Sequence, residues 1–241
     1  MRKLNDDLDS VLAPIPGFLF SSAAHGTAWL LIHQAEADFK GGILEIGIFR
    51  GKYFSVLAMG SQFTGERLMG IDNFVFSPEE AVHTALSANP GTAECDYRII
   101  ARSSRNVSEE EILSTLGNPA RFVSVDGSHE AEDVYQDLIL TSGILSPHGI
   151  IAIDDFLNPR ALGVGEATHR FLGAHRDLIP FALFGNKLFT CRLPFRDEYQ
   201  ESIHRFFDTS DLPEGHAYRK LVGLGKEHVE QRLHGHTLLV M

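Results

Sequence analysis

Three aspartates stand where two apolar runs give out: Asp126 closes the run Arg121 to Val125, and the pair Asp154 and Asp155 closes Gly149 to Ile153. Carboxylates leaving neighbouring strands at one sheet edge converge and repel. A hard divalent cation relieves that repulsion, and Mg²⁺ or a similar ion favours a few carboxylates with water and a substrate oxygen. The other reading is a solvated acidic rim without metal. His129 follows Asp126 by three residues. With an unperturbed pKa of roughly 6.5 it could take a proton from a hydroxyl held there, or cap and pack on the helix that follows. Earlier in the chain Glu45-Ile46-Gly47-Ile48-Phe49-Arg50-Gly51 spells E-x-G-x-x-x-G, with Glu45 where a dinucleotide site has its first glycine. Gly47 and Gly51 permit a tight turn and a close backbone approach. A carboxylate in that turn repels a pyrophosphate and suits a ligand carrying positive charge. Asp72 lies 21 residues beyond Gly51, where an acid can accept hydrogen bonds from ribose hydroxyls or simply cap a turn. Ser103 and Ser104 close a third run, where hydroxyls could meet an adenine edge or serve only as turn formers.

The elements that must position these residues alternate along the chain. Short apolar runs at Gly42 to Ile48, Arg67 to Ile71, Tyr97 to Ala101, Arg121 to Val125 and Gly149 to Ile153 read as buried strands, apolar on consecutive positions. Helical patterns occupy Tyr53 to Gln62, Pro78 to Ala88, Glu109 to Leu116 and Glu130 to Gly143 between them, with another at Val164 to Ala174. That alternation argues for a parallel sheet covered on both faces, with ligands at the carboxyl ends of its strands. Phe181 to Phe184 and Lys187 to Arg192 flank Gly185-Asn186, a hairpin signal that makes the last two strands antiparallel. A helix from Ser21 toward Phe39, capped by Ser21 or Ser22, precedes the first strand. After Pro194 the chain turns polar and His-rich, and one or two helices and a final Leu-Leu-Val segment are expected. The chain thus divides into an N-terminal arm and helix (1–40, a lid or dimer contact), a core (41–193) and a helical C-terminal extension (194–241).

The 241 residues carry 21 Lys and Arg against 32 Asp and Glu, a formal charge of −11. Such a chain lacks the field that draws proteins to nucleic acid or anionic membranes. A hydrophobic fraction of 44% is that of a globular protein with a substantial core. Two cysteines without a CxxC motif fit a reducing cytoplasm, and no apolar stretch reaches the ~18 residues of a membrane span. A soluble, cytoplasmic protein is expected; a homodimer is a candidate assembly, as the commonest one among soluble proteins.

Together these strand ends resemble the class I S-adenosylmethionine-dependent methyltransferases over Gly41 to Arg192. ILEIGIFRGKYFS (43–55) is similar to the family's first motif, and VSVDGSHEAEDVYQDLILTSGILSPHGIIAIDD (123–155) to its later half. Within the class, the chain is most similar to metal-dependent small-molecule O-methyltransferases of the catechol and antibiotic- or sugar-tailoring types. The resemblance implies an α/β, Rossmann-like doubly wound, mostly parallel seven-stranded sheet of order 3-2-1-4-5-7-6, closed by the hairpin of FALFGNKLFTCR (181–192). It implies S-adenosylmethionine as cofactor: Gly47 and Gly51 lining its methionine part, Glu45 supporting that loop, Asp72 at the ribose, Ser104 near the adenine, and Asp126 at the border of cofactor and metal. Asp126, Asp154 and Asp155 match the family's metal ligands, and a hydroxyl of a small molecule is the implied acceptor. His129 occupies the place of a basic lysine in the catechol type, and Ser128 that of an acidic residue in the antibiotic-tailoring type. Two rivals stay open: a non-catalytic methyltransferase-like binding module, and a nicotinamide-dependent oxidoreductase, which would leave Glu45 and the paired Asp unexplained.

Overall fold

The computed structural model describes residues 8–241. Of the N-terminal arm, residues 1–7 lie outside the described residues, and a short helix (α1) covers 8–12. The core follows as α2 (Ser21–Glu36), β1 (Gly42–Ile46), α3 (Lys52–Thr64), β2 (Leu68–Asp72), α4 (Glu79–Ser87), β3 (Tyr97–Ala101), α5 (Glu109–Leu116), β4 (Ala120–Val125), α6 (Ala131–Gly143), β5 (Leu145–Ile153), α7 (Leu162–Ala174), β6 (Leu178–Phe184) and β7 (Lys187–Arg192). Two helices, α8 (Arg196–Thr209) and α9 (Pro213–Leu224), and a hairpin, β8 (Glu230–Leu233) and β9 (His236–Val240), complete the chain. Helix α2 begins one residue after its N-cap Phe20, and no side chain caps it, so neither Ser21 nor Ser22 plays that part.

The sheet has nine strands in the order β3-β2-β1-β4-β5-β7-β6-β9-β8. The expected seven-strand order is present, and the count is corrected by two: β9 adds parallel to β6, and β8 pairs antiparallel with β9. The segment after Pro194 is therefore not helical throughout; after α8 and α9 it returns to the sheet. Strands β1 to β5 are parallel, and β7 runs antiparallel to both β5 and β6. Gly185 and Asn186 turn that hairpin with φ of 56° and 67°, the left-handed pair that a two-residue turn requires.

Strand alternation divides the core into two layers. Ile43, Phe122, Ile150 and Phe189 face one side and pack with α2, α3 and α8 through Leu31, Phe54 and Phe206. Leu44, Val123, Ile151 and Leu188 face the other, against Leu138 of α6 and Phe171 of α7. The same parity carries polar residues: Glu45 shares a face with Ile43, and it lies beside Ser124 in the β1–β4 register. Among the described residues no helix is long and apolar enough to cross a membrane.

Candidate functional site

A cavity of about 1100 Å³ opens at the carboxyl ends of β1, β2, β4 and β5. It lies where the order of strands reverses on either side of β1, the place an open α/β sheet offers for ligands. Glu45, Gly47, Asp72, Ser104, Asp126, His129, Asp154 and Asp155 all line it. Gly51 does not: it is the left-handed N-cap of α3 (φ 82°), and an added Cβ would meet Val82 of α4 at 3.3 Å. It shapes the turn from behind.

Gly47 is required by the protein itself. Its φ is 86°, and a Cβ there would lie 1.9 Å from the carbonyl oxygen of Asp126. The ends of β1 and β4 thus approach to the van der Waals limit, tied by Asp126 N–H to Ile46 O (2.8 Å), while Gly47 N–H to Ile71 O (2.8 Å) ties the same bend to β2. Asp72 braces the bend from β2. Its Oδ2 accepts from the N–H groups of Ile48 (2.8 Å) and Phe49 (2.9 Å), and its Oδ1 from Phe74 N–H (2.7 Å). Ser104 opens a 3₁₀ turn after β3 and donates to Asp137, a buried carboxyl of α6 that also lines the cavity. Burial lifts Asp137 to about 6, chiefly over the opposing pull of that hydrogen bond.

The acidic residues converge. Asp126, Asp154 and Asp155 each offer an oxygen within 4.8 Å of the others. An all-carboxylate set at that spacing, open to a cavity, fits a hard divalent cation. Beneath it lies a charge that the pattern of the sequence did not single out. Lys187, 1% exposed, places Nζ 3.0 Å from Asp154 Oδ1 and 3.7 Å from Asp126 Oδ2, and 4.1 Å from the centre of the Tyr53 ring. Burial opposes its charge, but Asp154 and Asp126 outweigh that and hold the ammonium protonated. Glu45 is buried at 1% exposure with Oε2 lacking a hydrogen-bond partner, and burial raises its pKa well above the usual carboxylate range. Asp126 rises too, from burial and then from Asp154. Tyr53, whose hydroxyl pairs with Thr27 Oγ1 at 2.7 Å, packs its ring against Lys187 from α3.

His129 is half exposed, and its Nε2 lies 3.0 Å from Asp155 Oδ2. Asp155 adopts a left-handed φ of 57°. Its Oδ1 accepts from the side-chain amides of Asn158 (2.9 Å) and Asn186 (2.7 Å). Ser128, two past Asp126, donates instead to Asp133 (3.0 Å) and stays out of this pair. Lys187 and Asn186 had a signal, since a hairpin after Gly185-Asn186 must bring its first residues back to the end of β5. Ile153 pairs with Leu188, which leaves Lys187 beside Asp154.

Residues 44–156 match the family model described as a methyltransferase domain. No curated protein matches the chain in sequence. Several solved structures share its fold. The calicheamicin methyltransferase CalS11 is 16% identical, over 80% of this chain and 92% of that one, with a TM-score of 0.55. An O-methyltransferase from Bacillus cereus in complex with SAH is 16% identical, over 78% and 89%, with a TM-score of 0.54. The O-methyltransferase TomG from Streptomyces achromogenes, involved in tomaymycin synthesis and in complex with SAM, is 23% identical, over 78% and 87%, with a TM-score of 0.51.

Proposed function

We propose, from the premise that residues 44–156 form a methyltransferase domain, that this chain is an S-adenosylmethionine-dependent O-methyltransferase acting on a hydroxyl of a small molecule with divalent-metal assistance. The observation that carries the reading is the His129–Asp155 pair (3.0 Å) on the wall of the same cavity as the Gly47 bend and the acidic trio. A base oriented by a carboxylate, next to a bend suited to a cationic donor, is what transfer to a hydroxyl needs.

Gly47 and Glu45 are assigned to the methionine part of the donor, Asp72 to the ribose and Ser104 to the adenine, with Asp126 between donor and acceptor. The acidic lining favours entry of a cation. Bound S-adenosylmethionine supplies a methyl group on a sulfonium, whose positive charge is lost as the methyl leaves. A divalent ion held by Asp126, Asp154 and Asp155 would supply charge stabilisation to the acceptor oxygen and lower its pKa. The chain's own part is then alignment and proton removal. With Nε2–H donating to Asp155, Nδ1 of His129 is the nitrogen free to accept the hydroxyl proton. Asp155, fixed by two asparagine amides, keeps the ring in that tautomer and steadies it once charged. Lys187 and Tyr53 close the floor of the site against water. The two unbridged, buried cysteines accord with a reducing, cytoplasmic setting.

The test is calorimetric binding of S-adenosylhomocysteine together with methyl transfer to hydroxyl acceptors. In His129→Ala turnover falls by about 10²–10⁴-fold, the usual contribution of a positioned base, while S-adenosylhomocysteine affinity stays within about twofold. Equal turnover in that variant removes His129 from the reaction. Binding without transfer by the parent chain favours a non-catalytic module, and binding of NAD in place of S-adenosylhomocysteine favours an oxidoreductase.

A further inference from the structure

The lip of the cavity is apolar where its floor is acidic. Phe18, Phe20, Phe49, Phe76 and Leu157 border it and are 108%, 60%, 44%, 85% and 64% exposed. They are half of the ten large hydrophobic side chains that the described residues leave exposed. They come from four separate places: the stretch before α2, the β1–α3 bend, the β2–α4 loop and the β5–α7 loop. Convergence of exposed apolar groups from four segments on one concavity marks a place that a ligand covers. Phe49 is held at φ 53° with its N–H bonded to Asp72 (2.9 Å), an uncommon conformation for a bulky residue that fixes its place at the lip. Gly17 packs on Phe49 and Lys52 (both 3.8 Å from its added Cβ), with Lys52 Nζ donating to Gly17 O at 3.2 Å. The chain then runs to α2, where Ala23 touches Gly185. Residues 17–20 thus form a strap from the glycine bend to the β6–β7 turn, carrying Phe18 and Phe20 across the mouth.

The charge of the wall decides what kind of molecule fits. Eight carboxyl side chains line the cavity against three Lys or Arg. Arg102 is paired with Glu111, and Arg105 with Asp133; Lys52 is spent on the strap. No free cluster of cations is offered to a phosphate. At about 1100 Å³ the cavity also exceeds the roughly 300–1,000 Å³ of a site for one drug-sized ligand, leaving room for an acceptor beside the donor.

Resting on the methyltransferase reading above, we propose that the acceptor is an uncharged molecule whose hydroxyl is borne by a flat apolar body seated between Phe18, Phe20 and Leu157, and that anionic acceptors such as sugar diphosphates are excluded. The hydroxyl reaches the acidic floor while the body fills the apolar lip.

The experiment uses the full chain saturated with S-adenosylhomocysteine. The neutral fluorophore N-phenyl-1-naphthylamine reports on the lip, with 2,3-dihydroxynaphthalene and UDP-glucose as competitors. The fluorophore is expected to bind saturably and to be displaced by the naphthalenediol but not by UDP-glucose. Phe18→Ser and Leu157→Ser each weaken its binding by about tenfold, as loss of one buried apolar side chain should, with S-adenosylhomocysteine affinity within about twofold. Displacement by UDP-glucose, absence of saturable fluorophore binding, or equal binding by both variants overturns the proposal. So does concentration-dependent dimerisation that Phe18→Ser abolishes, because the lip would then belong to a second copy. Failure to bind S-adenosylhomocysteine at all defeats instead the methyltransferase reading on which the proposal rests.

Discussion

Replacing Lys187 by methionine keeps most of the apolar stem and deletes the one ammonium beneath the acidic cluster. Its nitrogen lies 3.0 Å from Asp154 and 3.7 Å from Asp126. At an effective dielectric of about 20 those separations correspond to attractions of ~5.5 and ~4.5 kcal/mol. Much of this is offset by the cost of burying the ammonium at 1% exposure. The loss expected on breaking such a group is therefore about 3–5 kcal/mol, the penalty of leaving buried charge without its partner. For a chain of this size each kcal/mol moves the melting temperature by about 2–4 °C, so Lys187→Met should melt about 6–20 °C below the parent in EDTA. Mg²⁺ restores a cation to the same carboxylates and should raise the melting temperature of the variant more than that of the parent. Differential scanning calorimetry with EDTA and with Mg²⁺ measures both. A loss below about 1 kcal/mol, or equal stabilisation of both proteins by Mg²⁺, would refute the view that Lys187 balances the charge of this cluster.

Two other substitutions probe neighbouring groups. Asp154→Ala removes one of the three converging oxygens, so thermal stabilisation by Mg²⁺ should vanish while S-adenosylhomocysteine affinity stays within about tenfold, or ~1.4 kcal/mol; an unchanged response to Mg²⁺ removes the metal assignment. Asp137, lifted by burial from 3.8 to about 6, holds its proton more tightly folded than unfolded. It therefore costs stability as pH rises from about 4 to about 6, and the full cost of roughly 3 kcal/mol persists above that. Asp137→Asn can still accept the Ser104 hydrogen bond, so urea denaturation should find it more stable than the parent by about 3 kcal/mol at neutral pH and equal near pH 4. A constant difference across that range would show that Asp137 does not titrate as stated.

The central sheet was legible because buried parallel strands are continuous apolar runs, and each helix between them has a stripe of apolar residues. Tyr97–Ala101 and Lys187–Arg192 were delimited to the residue, although Tyr97–Ala101, expected to be buried, lies at the sheet edge with none of its residues buried. The outer hairpin was not, because β8 is the four residues Glu230 to Leu233, three of them polar, and none is buried. The opposite edge strand, β3, is no more buried but still carries the apolar pair Ile99-Ile100, whereas β8 has a single apolar residue and so leaves no hydrophobic period to read. In the site, the acids could be located because they follow strands directly. Their actual partners could not, since Lys187 meets Asp154 only through the antiparallel return of β7 and Asn158 reaches Asp155 through a loop. In the sequence Lys187 reads only as the first residue of the last strand, although the antiparallel register that Gly185-Asn186 implies fixes where its cation falls. Gly51 shows the converse: a motif position counted with the ligand-facing glycines instead packs on α4.

The strand pair β9 and β8 carries a consequence for how the molecule behaves in a crowded solution. Without it the sheet would end at β6, whose sequence LIPFALF is apolar throughout, and an unpaired margin of that kind recruits stray chains into cross-strand aggregates. Instead β9 bonds along Ala182 and Leu183, and the outermost strand becomes β8, where Glu230, Gln231 and Arg232 meet water. A sticky border is exchanged for one whose charges discourage further addition, so the polar hairpin acts as a guard on the solubility of the whole sheet.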